Sequence, residues 1–217
     1  MAQAVVLPTP LSFEGLLAYG WNTLKEHFTY LIKVMLLMFV ISTVPSMIAS
    51  SIAEESPTLG GLLSLAATIW GMIVSIGLLK LMFELLRTGK EPVLSLDVIL
   101  AHKHLFLRYL GGNILFGLLV AFGFILLIIP GFYFMLKYMF VPYLIVDKEM
   151  TVGDAFKRSA EITKGKKPML FFYMIGLSIF AALGVLALFV GLLVTIPITY
   201  IAWLALYLIM EKENGQV

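Results

Sequence analysis

No cysteine occurs in the sequence, which excludes disulfides and thiolate metal ligands. Charge is scarce as well: Asp, Glu, Lys and Arg make up 13% of the chain, against about 25% in an average soluble domain. Four stretches, 34–53, 56–79, 109–136 and 168–210, contain none of these residues. Acid and histidine relays inside apolar runs mark proton-coupled carriers, and none is readable here. His102 and His104 are two apart and cannot share a helical face, so no metal site is expected. There is no Ser-His-Asp arrangement and no P-loop, and no cofactor or nucleic-acid partner is expected. The opening MAQAVVLPTP has neither a basic nor a sustained apolar segment, so a cleaved signal peptide is not expected.

What the chain does have is apolar length. The residues are 61% hydrophobic and the mean hydropathy is +1.01. An apolar run of about 20 residues crosses a bilayer as a helix, and the run 168–210 is long enough for two crossings. The pattern predicts an all-α polytopic membrane protein, a single integral membrane domain over 1–217. Its six spans are Thr29–Ala53, Leu59–Leu86, Leu105–Ile129, Phe132–Val146, Met169–Phe189 and Leu192–Met210. Charge fixes the count. Arg87, Lys90 and Lys103 lie between spans two and three; Lys148, Lys157, Arg158, Lys164, Lys166 and Lys167 lie between spans four and five. The other connections, Glu54–Thr58, Pro130–Gly131 and the turn near Gly191, carry no Lys or Arg. Cytoplasmic loops collect basic residues, so both termini are expected inside.

Each pair of spans follows a short stretch that opens with a hydroxyl residue and an acid within one turn: Ser12 and Glu14, Ser95 and Asp97, Thr151 and Asp154. That is N-cap chemistry, with the acid favoured by the helix dipole. In the first stretch Phe13, Leu16, Leu17, Trp21, Leu24 and Phe28 fall on one stripe; Leu96, Ile99 and Leu100 form a smaller one. In the third, Val152, Ala155, Phe156 and Ala160 oppose Asp154, Lys157, Arg158 and Glu161. Such helices suit the headgroup plane. The layout predicts three repeats of interfacial helix plus helical hairpin, about 11–90, 91–148 and 149–210.

Gly60, Ser64, Thr68, Gly71 and Ser75 recur at spacings of three and four, one small-residue face along span two. It suits a close helix contact or a hydroxyl-lined seam. Lys80 and Glu84 are spaced for an ion pair within the membrane. Lys137 stands in the apolar string IIPGFYFMLKYMFVPYLIV. A charge near the bilayer centre costs at least about 2.5–3.5 kcal/mol, so Lys137 is expected to snorkel, to meet a lipid or other anion, or to line a transport path.

Ile129-Pro130-Gly131, Lys137-Tyr138, Pro142-Tyr143, Asp147, Met150-Thr151, Ala155, Ser159 and Gly165-Lys166-Lys167 resemble the signature of a group of bacterial multi-pass proteins. These are related to the membrane domain attached to some glycerophosphodiester phosphodiesterases. The resemblance implies a basic residue at Lys137, a short helix before span five and a bacterial inner-membrane location. The soluble phosphodiesterase barrel is missing, so no hydrolase activity carries over. The expected function is a non-enzymatic scaffold or accessory subunit. Its expected partners are lipids, anionic ones included, another membrane protein or copies of itself, and its contact residues are Lys137, Lys157, Arg158, Lys166 and Lys167. The alternative is a small-solute or ion transporter with Lys137 in the pathway.

Overall fold

The computed structural model describes residues 11–186 and 191–214. Among these residues there is no strand, and ten α-helices follow one another: α1 Phe13–Glu26, α2 Phe28–Glu55, α3 Pro57–Thr88, α4 Leu96–Leu100, α5 Phe106–Leu126, α6 Ile128–Tyr138, α7 Val141–Lys148, α8 Val152–Ile162, α9 Lys167–Leu186 and α10 Leu192–Asn214. Six stretches are long and apolar enough to cross a membrane: α2, α3, α4 through α5, α6 with α7, α9 and α10. The chain is an integral membrane protein with six helical spans. Phe189, the expected end of span five, lies outside the described residues.

Local chemistry sets most helix ends. The hydroxyls of Ser12, Ser95 and Thr151 accept from the backbone N–H of Gly15, Val98 and Asp154 at 3.0, 3.4 and 3.2 Å, capping α1, α4 and α8. Pro57 opens α3, where a missing N–H costs nothing, and Gly89 closes it in the left-handed conformation at φ 64°. The turn between spans three and four departs from expectation. It falls on extended Leu127, not on Pro130–Gly131, because proline fits the first turn of α6. Gly123 and Gly131 instead let α5 and α6 close on each other: a Cβ at Gly123 would sit 2.9 Å from Gly131 Cα, and one at Gly131 would sit 2.4 Å from the Phe124 ring.

The expected stripe of α1 divides between two environments. Leu16 and Leu24 are buried together with Tyr19, Gly20 and Thr23, whereas Trp21 and Phe28 are exposed. The buried side packs on two spans. A Cβ at Gly20 would meet the Ile198 carbonyl of α10 at 2.8 Å, and one at Gly176 of α9 would meet the Phe13 ring at 2.6 Å. Helix α1 is therefore docked on the bundle, with apolar residues on both its inner and its outer side.

Ion pairs gather the basic connections at one end. Arg87 at the end of α3 meets Asp147 at the end of α7, and Arg158 of α8 meets Glu211 near the end of α10. This basic end also holds the dense core, where Phe83, Phe140, Leu144, Ile145, Val146 and Tyr207 are all but fully buried. Helix α10 runs through its middle, enclosed from Ile201 to Met210 apart from half-buried Trp203.

Candidate functional site

Span four is broken at Met139 and Phe140. Pro142 has no N–H to give and its ring crowds the carbonyl four residues back, so α6 cannot continue into α7. Helix α8 mends the break. The Ser159 hydroxyl accepts from Phe140 N at 3.3 Å and donates to the Lys137 carbonyl at 3.0 Å, while Thr163 donates to the same carbonyl at 3.2 Å. Three residues of the expected signature, Lys137, Pro142 and Ser159, thus meet at one junction.

The side chain of Lys137 turns away from that junction. Its ammonium lies 5.0 Å from the Tyr138 ring centre and 5.9 Å from that of Tyr133, and Lys167 Nζ lies 4.9 Å from the Tyr133 ring as well. Lys167 opens α9 at the basic end. Two cations therefore share the negative face of one exposed tyrosine. Among the described residues no carboxylate pairs with Lys137 or Lys167.

The other expected contact residues divide. Lys157 is exposed on α8, and so is Lys164 just after it, which was not among the expected contacts. Arg158 is held by Glu161 at 3.4 Å and Glu211 at 3.6 Å, and Lys166 is paired with Glu213. Together with Lys148 and Glu211 at 3.6 Å, these pairs tie α7, α8 and the start of α9 to the tail of α10.

Lys80 does not pair with Glu84. Its ammonium donates to Glu149 Oε1 at 2.9 Å, to the Val146 carbonyl at 3.0 Å and to the Asp147 carbonyl at 3.4 Å. The reason is the neighbour: α7 ends beside Lys80 and offers both the open carbonyls of its C-terminus, which favour a cation, and the Glu149 carboxylate. Arg108 completes the cap, donating to the Glu149 carbonyl at 2.8 Å. Glu149 itself adopts a left-handed φ of 54°. The hydrogen bond from Lys80 holds its carboxyl below the usual range.

The small-residue face of α3 is not the continuous contact expected. Gly60 is tight, since a Cβ there would fall 2.3 Å from Ala53, but a Cβ at Gly71 would meet nothing within 4 Å. Ser64 and Thr68 are exposed. Thr68 and Ser75 satisfy their hydroxyls on carbonyls of their own helix, at 2.8 and 2.7 Å. A second close approach in α3 is made by Gly77, outside that face, against the Ile99 backbone of α4.

Sequence reading left Asp147 just beyond the end of span four and gave it no partner. Its side chain is 1% exposed and accepts from Arg87 Nη2 at 2.7 Å and from the Tyr207 hydroxyl at 2.9 Å, joining α3, α7 and α10. A signal did exist: Lys80 and Arg87 are seven apart on α3 and face the acids that end span four.

A cavity of about 610 Å³ opens among α2, α3, α5, α7 and α10, and Lys137 is not among its lining residues. Comparison of the chain with protein-family models, curated proteins and solved structures finds no match. The resemblance over residues 129–167 stands on those residues alone.

Proposed function

We propose that this protein is a non-enzymatic, membrane-embedded scaffold or accessory subunit that engages anionic lipid headgroups, or an acidic partner surface, through its basic end. The observation that carries this proposal is the pair Lys137 and Lys167 on the exposed ring of Tyr133, with no carboxylate among the described residues to neutralise either. Exposed Lys157 and Lys164 extend the same field. Each cation near an anionic surface is worth about 1 kcal/mol. Ion pairs from α7 and α8 to α10 lie at the same end.

On this reading the basic end is cytoplasmic, both termini lie inside, and the membrane is the bacterial inner membrane that the resemblance implies. The three capped short helices are then interfacial and the three units are repeats. A transport path through Lys137 has little support, because the cavity is built from other residues.

Replacing Lys137 by Met and Lys167 by Gln is expected to lower retention of anionic lipid in native-lipid nanodiscs, and more so at low salt. Lys157→Gln with Lys164→Gln should add a smaller loss. Retention unchanged at both low and high salt rejects the proposal.

A further inference from the structure

The cavity has a shape and a chemistry that select its occupant. Along α2 its lining runs from Leu31 to Thr43, about 18 Å at 1.5 Å per residue. One leaflet of a hydrocarbon core about 30 Å thick has nearly that depth. A volume of 610 Å³ over such a length leaves a mean section of about 34 Å². That is at least roughly 6–7 Å across, wide enough for one unbranched hydrocarbon chain. Phe39 of α2 and Tyr200 of α10, both lining residues, are also exposed, so the mouth lies between α2 and α10 and faces hydrocarbon.

Apolar walls alone select nothing in a membrane, because lipid tails are as apolar as leucine. Selection has to come from the polar atoms. Tyr109, Tyr143 and Tyr200 line this cavity from three different helices. Among the described residues, the tyrosine hydroxyls with a protein acceptor are those of Tyr173 and Tyr207; Tyr143 and Tyr200 have none. An O–H donor held in an apolar medium without an acceptor costs several kcal/mol on transfer scales, about 1–3 in proteins. Tyr143 lies about 8 Å along its helix from the basic end at Lys148, and Tyr109 about 5 Å from the start of α5. That is the depth just beneath the headgroups, where a glycerolipid carries ester carbonyls: acceptors with no donor of their own.

We propose that this cavity is a binding site for one glycerolipid of the leaflet at the basic end. Its ester carbonyl accepts from Tyr143, and one acyl chain runs past Met38 and Met82 toward Ser42 and Ser75. Neither Lys137 nor Lys167 lines the site. Its test uses none of the basic-end variants, so either proposal can fail alone.

The test is photolabelling in nanodiscs with a phospholipid carrying a diazirine within one acyl chain, read by peptide mass spectrometry. Labelling is expected to concentrate on peptides bearing Met35, Met38 and Met82. Tyr143→Phe, which keeps the ring, should lower it about threefold to tenfold, the worth of one hydrogen bond. The same probe with an ether in place of the ester should label the unmodified protein no better than the ester probe labels Tyr143→Phe. Ser75→Phe, which obstructs the channel, should abolish it; if that variant does not fold, the ether probe and Tyr143→Phe still decide. Labelling spread over all exposed spans overturns the site, and equal labelling by ester and ether probes overturns the lipid class. Cross-links between two copies through α2 and α10, with the cavity unlabelled, would give the mouth to a second copy instead.

Discussion

The two halves of α3 obey different rules. From Val74 to Leu86 it is enclosed, cation-bearing and bonded to other helices. From Leu59 to Ile69 it is largely exposed, and Thr68 bonds only to its own backbone. Apart from Lys80 and Glu84 the sequence is apolar in both halves, so hydropathy separates them poorly. In lipid, burying leucine gains little, and what assembles helices is polar bonding and close backbone approach. Along α3 the polar ties to other helices gather at the basic end, whereas the far end is held by the close approach of Gly60 to Ala53 and otherwise left to the hydrocarbon.

Substitutions that remove the polar ties should show the contrast most strongly. Asp147→Asn takes the charge from a side chain buried between Arg87 and Tyr207. A loss of about 3 kcal/mol is expected, the lower part of the range for breaking a buried pair, because Arg87 is partly exposed. Thermal unfolding in nanodiscs measures it. A pair of glycines on α3 sharpens the comparison. In Gly77→Ala the new Cβ would fall 2.2 Å from the Ile99 carbonyl, so α4 must move, at about 2 kcal/mol. Gly71→Ala meets nothing within 4 Å and should be neutral or stabilising by up to about 1 kcal/mol. Equal losses from the two would mean that the ends do not differ in packing.

Ser159→Ala strips Phe140 N of its partner and leaves Thr163 on the Lys137 carbonyl, for an expected cost of about 1–2 kcal/mol. Hydrogen exchange should show it locally, as faster exchange at Phe140. The smallest effect concerns pH. Glu149 has a lowered carboxyl pKa in the folded state, so its tie to Lys80 is fully present above the ordinary value of 4.5 and is lost as pH falls through the lowered one. Glu149→Gln should therefore flatten a slight fall in stability below that value, and an unchanged acid limb would show that the tie contributes nothing.

The spans were legible because hydropathy and loop charge are local properties. The three caps were legible for the same reason: Ser12, Ser95 and Thr151 act within one turn. The partners of Lys80 and Asp147 were not. An i, i+4 rule pairs Lys80 with Glu84, but the structure pairs it with Glu149, 69 residues away. Asp147 is 60 residues from Arg87 and 60 from Tyr207. Spacing rules stop at the edge of one helix, and these contacts depend on which helix ends lie side by side. The small-residue face failed for a related reason: a stripe of glycine and serine permits close approach without supplying the neighbour.

The mended break in span four has a consequence for synthesis. Backbone groups left open in hydrocarbon are costly, and the groups at Lys137 and Phe140 are closed by Ser159 and Thr163, which are made later and lie outside the span. When span four leaves the ribosome its own hydrogen bonding is incomplete, and it stays so until α8 has followed and docked. The chain therefore cannot be assembled strictly hairpin by hairpin. Its middle is finished from its C-terminal third, and a nascent chain stopped before residue 159 would hold a fourth span without its missing partners.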